Sequence, residues 1–477
     1  MDIRIIAFVL GKLAQACGLA LIIPLSASLF YWESSLLPFL AAIAVSLLVG
    51  RLLIWRGRAP QDSREGIAIT ALGWIMVTLL GMVPYAAGGY LPVLDSIFEC
   101  ISGLSGTGAT VIDDVESLPQ SLLLWRSLTH WFGGLGIIVI FIAVFPQFGK
   151  GIVHMFNAES TGPRSDRTLP RIKEMAKALF TVYVLFTVMS AIVFWLCGMT
   201  PLIAVDHAFS TIATGGFSPY NNSVAHFNSP LIEVCLAFFM IISSANFGMY
   251  VAVWKKGFKV ILHDTEFRVY LGTVAVTTAA MALNLVLAQH WDGIEALRQA
   301  FFQSVSISSS TGYVSNDFEQ WPVFSKFILL GLMFVGGCAG STGGLKVTRA
   351  MLLVKTLRAI IHQKMHPRQV MHIRSNGEEF SLDLIYGVAK FFFVYTMLGV
   401  LWTFIMVFDG VAIFDAIGLS ISTMGSCGPG FGATATCSAL PPLSKTALCF
   451  SMLMGRLEAF PVLAILMPSF WRHRNSW

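Results

Sequence analysis

The sequence predicts an all-α polytopic membrane protein, with four helix–pore-loop–helix repeats in a pseudo-fourfold arrangement around one pore, preceded by two extra transmembrane helices. Two observations predict this architecture. Of the 477 residues, 56% are hydrophobic and only 12% are charged, whereas an ordinary soluble domain is about 25% charged. A glycine-rich polar loop also recurs four times, always after an apolar run, which indicates one structural unit used four times.

Apolar runs define the predicted spans, since a membrane-spanning helix needs about 20 mostly apolar residues. Ten runs qualify, and they are 5–30, 36–55, 66–87, 121–145, 178–198, 230–254, 267–288, 323–354, 384–408 and 445–470. The last eight pair around the glycine loops, and the first two lie outside the repeat. The predicted units are therefore 1–60 for the extra helices and 61–150, 151–260, 261–375 and 376–477 for repeats 1 to 4.

Charges in the connecting segments predict the orientation of the chain. Lys and Arg are concentrated in alternate connections, including 51–64, 150–177 and 355–374, whereas the other connections are mostly acidic. Cytoplasmic connections of membrane proteins carry the excess of Lys and Arg. Both termini are therefore predicted to be cytoplasmic, and the four glycine loops are predicted to open to the outside.

The glycine loops, 102–111, 209–216, 306–313 and 422–429, are the predicted centre of the protein. They superpose on four glycines, each with the residue before it: Thr107 and Gly108, Thr214 and Gly215, Thr311 and Gly312, Cys427 and Gly428. Each loop follows a short segment (95–104, 206–212, 294–308 or 413–423) that reads as a re-entrant half-helix. Since glycine lacks a Cβ, such loops can turn their carbonyls toward a dehydrated cation. Close helix packing by small residues is the alternative, but it does not explain four copies at one place in four repeats.

A second glycine-rich stretch, 336–346, interrupts the eighth run. Its glycines at 336, 340 and 344 have the spacing of a helix-packing motif. Further glycines in the stretch oppose a helix, because each costs about 1 kcal/mol relative to alanine. We therefore favour a broken helix with a loop below the glycine loops.

Arg456 is predicted to lie deep in the tenth run, where an arginine is costly unless it faces protein or water. One interpretation is an ion pair with another helix. The other is a positive barrier in the pore. Arg126 and His130, near the outer end of the fourth run, are predicted to be structural.

The segments Gly-Thr-Gly-Ala-Thr-Val111, Phe-Ser-Thr-Ile-Ala-Thr-Gly-Gly-Phe-Ser218 and Gly-Gly-Cys-Ala-Gly-Ser-Thr-Gly-Gly-Leu-Lys346 resemble motifs of the Trk/Ktr/HKT potassium transporter superfamily. The two helices before repeat 1 are similar to its TrkH/TrkG branch. The resemblance implies a homodimer, a cytosolic TrkA-type regulatory subunit that binds nucleotide, and a potassium filter at the four superposed glycines and the residues before them. Cys427 departs from the threonine found in the other three loops.

The resemblance further implies an intramembrane gate. Its residues in this chain are Gly340, Ser341, Thr342, Gly343, Gly344, Lys346 and Arg456. Lys346, near the inner end of the stretch, is equally open to a simpler interpretation in which its side chain snorkels to the cytoplasm.

The expected function is potassium uptake across the bacterial cytoplasmic (inner) membrane through a selective, gated, channel-like pore. The alternative is a potassium symporter coupled to protons or sodium. Coupling is disfavoured because the middle of the repeat spans holds no carboxylate apart from Glu233, near an outer end, and Glu458. An enzyme is not expected, since the chain has no nucleophile–base pair, phosphate loop or metal cluster. The potassium ion is the expected substrate, the lipid bilayer is the expected surrounding, and neither a cofactor nor a nucleic-acid partner is expected.

Overall fold

The computed structural model describes residues 2–57, 65–136, 169–338, 343–366, 373–375, 378–430 and 436–471. These residues are helical almost throughout. Among them, the strands are confined to one antiparallel pair, β1 (Arg374–Ser375) and β2 (Glu378–Glu379). The structure therefore confirms the predicted all-α class.

The two extra helices form a closely packed pair before the repeats. The first span consists of α1 (Ile3–Ala20) and α2 (Ile22–Phe30), and the second is α3 (Leu36–Arg56). A Cβ on Gly11 would lie only 2.7 Å from the carbonyl oxygen of Gly50. Small residues at this crossing therefore let the two backbones touch, as in other membrane helix pairs.

Each repeat contains a long first helix, a short pore helix and a second helix. Repeat 1 has α4 (Gly66–Gly81), α5 (Val83–Ala87), α6 (Val93–Ser105) and α7 (Gln120–Leu135). Repeat 2 has α8 (Leu169–Leu196), α9 (Pro201–Ile212), α10 (Pro230–Ser244), α11 (Phe247–Lys256) and α12 (Lys259–His263). Repeat 3 has α13 (Thr265–Gln289), α14 (Gly293–Ser308), α15 (Val323–Phe334) and α16 (Val347–Met365). Repeat 4 has α17 (Leu382–Phe408), α18 (Ile413–Gly425), α19 (Pro442–Arg456), α20 (Phe460–Leu466) and α21 (Pro468–Trp471).

The pore helices α6, α9, α14 and α18 are too short to cross a bilayer. They contain 12 to 16 residues. At 1.5 Å per residue they reach about 18–24 Å, whereas the hydrocarbon core is about 30 Å thick. A short 3₁₀ turn follows the glycine loop in every repeat, at Val115–Ser117, Ser223–Phe227, Phe318–Gln320 and Cys437–Ala439. This arrangement fits a chain that enters the membrane region and returns to the same side.

Among the described residues, the second helix is interrupted in repeats 2, 3 and 4, whereas the sequence analysis identifies a break only in the eighth run. Helices α10 and α11 meet at 86°, and α19 and α20 meet at 119°. The sixth and tenth predicted runs therefore each contain two helices. At the first bend, the side chain of Asn246 starts a new helix by accepting a hydrogen bond from the Gly248 N–H (2.8 Å). At the second, Glu458 and Ala459 take left-handed backbone angles (φ 58° and 61°), which end α19.

Candidate ion pathway

Every pore helix ends in the same hydrogen-bonded turn. In repeat 1, the Gly106 N–H donates to the Gly103 carbonyl (3.1 Å) and the Thr107 N–H donates to the Ser102 carbonyl (3.0 Å). The equivalent donors in the other repeats are Thr214 and Gly215, Ser310 and Thr311, and Ser426 and Cys427. This pair of bonds defines a Schellman motif, in which the residue after the helix is left-handed.

Two left-handed residues shape each loop. The first follows the pore helix, and it is Gly106 (φ 70°), Thr214 (53°), Ser310 (59°) or Ser426 (54°). The second comes two residues later, and it is Gly108 (79°), Gly216 (84°), Gly312 (82°) or Gly428 (90°). A residue with a Cβ pays about 1–2 kcal/mol in this conformation. Three repeats accept that cost at the first position, but all four have glycine at the second.

The structure corrects the superposition in repeat 2 by one residue. Gly216, and not Gly215, is the equivalent of the other three loop glycines. Gly215 occupies the place of Thr107, Thr311 and Cys427, and Thr214 occupies the place of the helix-ending residue. The sequence Thr-Gly-Gly offers two adjacent glycines, and only the backbone angles distinguish them.

The four loops close a ring through contacts between neighbours. A Cβ on Gly108 would overlap the carbonyl oxygen of Gly215 in the next loop. The same overlap would occur between Gly216 and Thr311, between Gly312 and Cys427, and between Gly428 and Thr107. The contacts therefore run from loop 1 through loops 2, 3 and 4 and back to loop 1. Each junction holds one carbonyl, and each loop contributes its carbonyl to one junction.

The side chains of the ring have twofold rather than fourfold similarity. In loops 1 and 3, a serine at the end of the pore helix bonds the threonine hydroxyl, at 2.7 Å for Ser105–Thr107 and 2.8 Å for Ser309–Thr311. Gly215 and Cys427 occupy the threonine position in the other two loops. The departure noted at Cys427 is thus matched by a second departure at Gly215.

Polar contacts after the glycine loops also join repeat 1 to its two neighbours. Asp113 accepts hydrogen bonds from Ser438 (2.6 Å) and Thr436 (3.0 Å) of repeat 4. These hydrogen bonds lower the pKa of the Asp113 carboxyl below its ordinary value, and the bond from Ser438 has the largest effect. On the other side, the Val115 N–H donates to the side-chain oxygen of Asn221 in repeat 2 (2.7 Å). Asp113 therefore keeps its negative charge down to lower pH than an ordinary aspartate would.

The glycine stretch 336–346 lies directly against the ends of two pore helices. Helix α15 ends at Phe334 and α16 begins at Val347, which confirms the broken helix. The Gly337 N–H donates to the Ser308 carbonyl at the end of α14 (2.5 Å). A Cβ on Gly344 would lie 2.8 Å from the Cα of Gly425, the last residue of α18.

Helix packing through the glycines of this stretch is not supported where the chain is described. Gly336, Gly343 and Gly344 lie in non-helical backbone. Gly340, Ser341 and Thr342, which belong to the predicted gate, lie outside the described residues.

Arg456 contacts repeat 1 from the end of α19. Its Nη2 donates to the carbonyl oxygens of Gly133 (2.5 Å) and Gly134 (2.8 Å) in the last turn of α7. Carbonyls in the last turn of a helix lack the usual partner four residues later. The Gly133 carbonyl also accepts from the Gly136 N–H at the end of α7 (3.0 Å). The arginine thus joins repeats 4 and 1 next to the loops.

Lys346 does not snorkel to the surface. It is 4% exposed, and its ammonium lies 3.8 Å from the Glu458 carboxylate. Glu458 also pairs with Arg349 of α16 at 2.6 Å. Glu458 is thus held by Lys346, the last residue of the glycine stretch, and by Arg349 in the first turn of α16.

Comparisons with known proteins identify the family. The chain matches the family described as TrkH, cation transport protein, over residues 37–472. It is 36% identical to the Trk system potassium uptake protein TrkH of Salmonella typhimurium, over 99% of this chain and 100% of that protein. The chain belongs to the TrkH family. It is also 32% identical to the Trk system potassium uptake protein TrkG of Escherichia coli K12, over 98% of this chain and 99% of that protein.

A solved structure supports the same fold. The crystal structure of the potassium transporter TrkH from Vibrio parahaemolyticus covers 99% of this chain and 100% of its own, with 33% identity and a TM-score of 0.89. The family is one of transport proteins and not of enzymes. The chain is accordingly a membrane transport protein with several apolar helices, as the composition predicts.

Two buried carboxylates escaped the sequence analysis of this TrkH-family chain. Glu99 of α6 pairs with Arg126 of α7 at 2.8 Å, and their side chains are 0% and 3% exposed. Asp206 of α9 accepts a hydrogen bond from Ser127 (2.6 Å) and is also buried. By sequence position, both carboxylates belong to the mostly acidic connections that are predicted to face the outside. The available signal was that each lies inside a predicted half-helix rather than in a connecting loop.

Proposed function

We propose that this chain forms a gated, channel-like pore that takes up potassium across the bacterial cytoplasmic membrane. The observation that carries the proposal is the closed ring of four glycine loops. Its relatives named as potassium uptake proteins support the same ion. Potassium is then the substrate, and the ring is the filter.

The proposed filter combines backbone carbonyls with helix dipoles. Carbonyl oxygens can replace the water that a potassium ion loses on entering a narrow pore. The carbonyls of Thr107, Gly215, Thr311 and Cys427 lie at the four junctions of the ring. The pore helices end at the same ring, and the C-terminal end of a helix is partly negative. Both features favour a cation there.

The proposed gate is the glycine stretch 336–346 with Arg456. Its described part lies against the ends of α14 and α18, next to the ring. Arg456 would place a positive charge below the filter, and Lys346 would hold the end of the stretch through Glu458. A cation would then cross the filter first and meet the gate second.

The alternative is potassium transport coupled to protons or sodium. One observation favours it, because Oδ2 of the buried Asp206 has no hydrogen-bond partner among the described residues. A buried ionisable group of this kind is common in coupled transporters. The reversal potential of the reconstituted protein distinguishes the two, since a pure potassium conductance ignores an imposed proton or sodium gradient.

The proposed assembly is a homodimer with both termini in the cytoplasm, bound there by a cytosolic TrkA-type subunit that binds nucleotide. Basic cytoplasmic segments would supply the docking surface. At the end of α16, Arg358 and Lys364 are exposed. The residues Arg164, Arg167 and Arg171 fall where the structure describes no side chains.

Charge reversal at Arg164, Arg167 and Arg171 is expected to weaken capture of a co-expressed cytosolic subunit by the tagged transporter. The physical reason is the loss of attraction between a basic face and an acidic partner. The matched control is reversal of the outer-face residue Lys326. Unchanged capture after reversal of both the 164–171 cluster and Arg358 with Lys364 would show that the charges only set topology.

Growth of a host that lacks its own potassium uptake systems tests the function itself. We expect the chain to restore growth at low potassium, and to do so better when the regulatory subunit is co-expressed. Purified protein in liposomes should also take up rubidium in preference to sodium. Failure of both assays with folded protein would overturn the proposal.

A further inference from the structure

We propose that the buried pair Glu99–Arg126, together with His130, positions glycine loops 1 and 2 and thereby sets the ion selectivity of the filter. These three residues are called the brace below. The inference rests on the proposed function, since it assigns selectivity to residues that contact no ion.

The brace holds loop 1 through Glu99. One carboxylate oxygen, Oε2, accepts hydrogen bonds from the Thr110 hydroxyl (3.0 Å) and the Val111 N–H (3.1 Å). The other oxygen, Oε1, accepts from Nε and Nη2 of Arg126, each at 2.8 Å. The residues just after the Thr107–Gly108 junction are therefore fixed to an ion pair behind the ring.

The same arginine holds loop 2. Its Nη1 donates to the carbonyl oxygen of Ser218 (3.3 Å). Its guanidinium carbon lies 4.0 Å from the centre of the Phe217 ring, in a cation–π contact. Arg126 thus contacts the chain that follows Gly216, while its partner Glu99 contacts the chain that follows Gly108.

His130 completes the connection one helical turn further along α7. Its Nδ1 lies 2.6 Å from the Gly103 carbonyl, so this nitrogen carries the proton. Its Nε2 then accepts a hydrogen bond from the Phe217 N–H (3.3 Å). A Cβ on Gly215 would overlap the histidine ring. The Cα of Gly215, whose carbonyl lies at the junction with Gly108, therefore packs against the imidazole.

Repeat 4 has no brace, and its residues at the equivalent positions show which side chains the fold accepts there. In the pore helices, Gly106 is equivalent to Ser426, so Glu99 is equivalent to Leu419. In the second helices, Gly133 meets the Leu104 carbonyl as Gly455 meets the Met424 carbonyl. Arg126 and His130 are therefore equivalent to Leu448 and Met452. All three repeat-4 residues are buried and apolar.

The comparison with repeat 4 indicates that the brace positions the glycine loops and is not needed for the protein to fold. A buried ion pair is weak evidence for stability, because apolar residues of similar volume often replace it without loss. In repeat 4, the apolar residues Leu419, Leu448 and Met452 occupy the equivalent positions. The brace therefore supplies something that leucines do not, namely fixed hydrogen bonds to the backbone of two adjacent loops.

The test replaces the ion pair with the two leucines found at the equivalent positions of repeat 4, in the double variant E99L/R126L. Removing both charges together avoids an unpaired buried charge. We expect the variant to fold as dimer with an unchanged melting temperature, and its ratio of potassium to sodium uptake in liposomes to fall at least about tenfold. The matched control is E319Q/K326Q, which removes a half-exposed ion pair in repeat 3 and should leave the ratio unchanged.

A second variant keeps the inference testable if E99L/R126L fails to fold. H130M copies Met452 and removes the two hydrogen bonds of the imidazole at similar volume. It should also lower the ratio. A wild-type ratio in either folded variant overturns the inference while leaving the proposed function intact. A wild-type protein that does not discriminate potassium from sodium in the same liposomes would instead overturn the proposed function.

Discussion

Replacing Gly216 by alanine is expected to abolish selective potassium uptake. Gly216 has φ 84°, and a Cβ there would overlap the Thr311 carbonyl oxygen. Left-handed backbone costs a residue with a Cβ about 1–2 kcal/mol, and the overlap with backbone adds to this cost because backbone cannot rotate away. We expect at least about a tenfold loss in the ratio of potassium to sodium uptake per folded molecule.

Gly272→Ala provides the matched control. Gly272 lies in the first helix of repeat 3, and a Cβ there would meet no atom within 4 Å. This variant should transport as the wild type does. Gly108→Ser should behave like Gly216→Ala, since its Cβ would overlap the Gly215 carbonyl oxygen. Wild-type selectivity in folded Gly216→Ala and Gly108→Ser proteins would contradict the assignment of the ring as the filter.

The sequence predicts the spans and the pore helices well because the hydropathy and the length of each run can be read directly from the local sequence. It does not predict the register at Gly215 and Gly216. Both are glycine, and the difference arises from the Schellman turn that ends α9, which places Thr214 in the left-handed position. A single-residue difference in where a helix ends is beyond the resolution of any sequence pattern.

The bend in the tenth run is accompanied by a contact that is distant in the chain. The tenth run has the charged residues Arg456 and Glu458 at its break, but the sequence does not show that Glu458 pairs with Arg349 of another repeat. The brace cannot be predicted from the sequence for the same reason. Glu99 and Arg126 are 27 residues apart, and a charge in each of two helices does not reveal that they meet. Tertiary geometry, and not local propensity, determines these features.

Replacing Arg456 by glutamine is expected to raise ion uptake while leaving ion preference unchanged. At an effective dielectric of ~20, two like unit charges ~10 Å apart repel each other by ~1.7 kcal/mol, so removing a barrier charge of this size should increase flux by roughly tenfold. The proposed filter is made of loop backbone that Arg456 does not contact, so the substitution should leave it unaltered. Rubidium uptake per folded molecule in liposomes, with sodium as the competing ion, measures both quantities.

Arg456→Lys separates the charge from the restraint that the arginine provides. Lysine keeps the positive charge but lacks the planar fork that reaches both Gly133 and Gly134. If the charge is the barrier, the lysine variant should transport near the wild-type rate and only the glutamine variant should be faster. If the hydrogen bonds to α7 keep the pore closed, both variants should be faster. Reduced uptake per folded molecule in both would mean that Arg456 supports the pore and does not obstruct it.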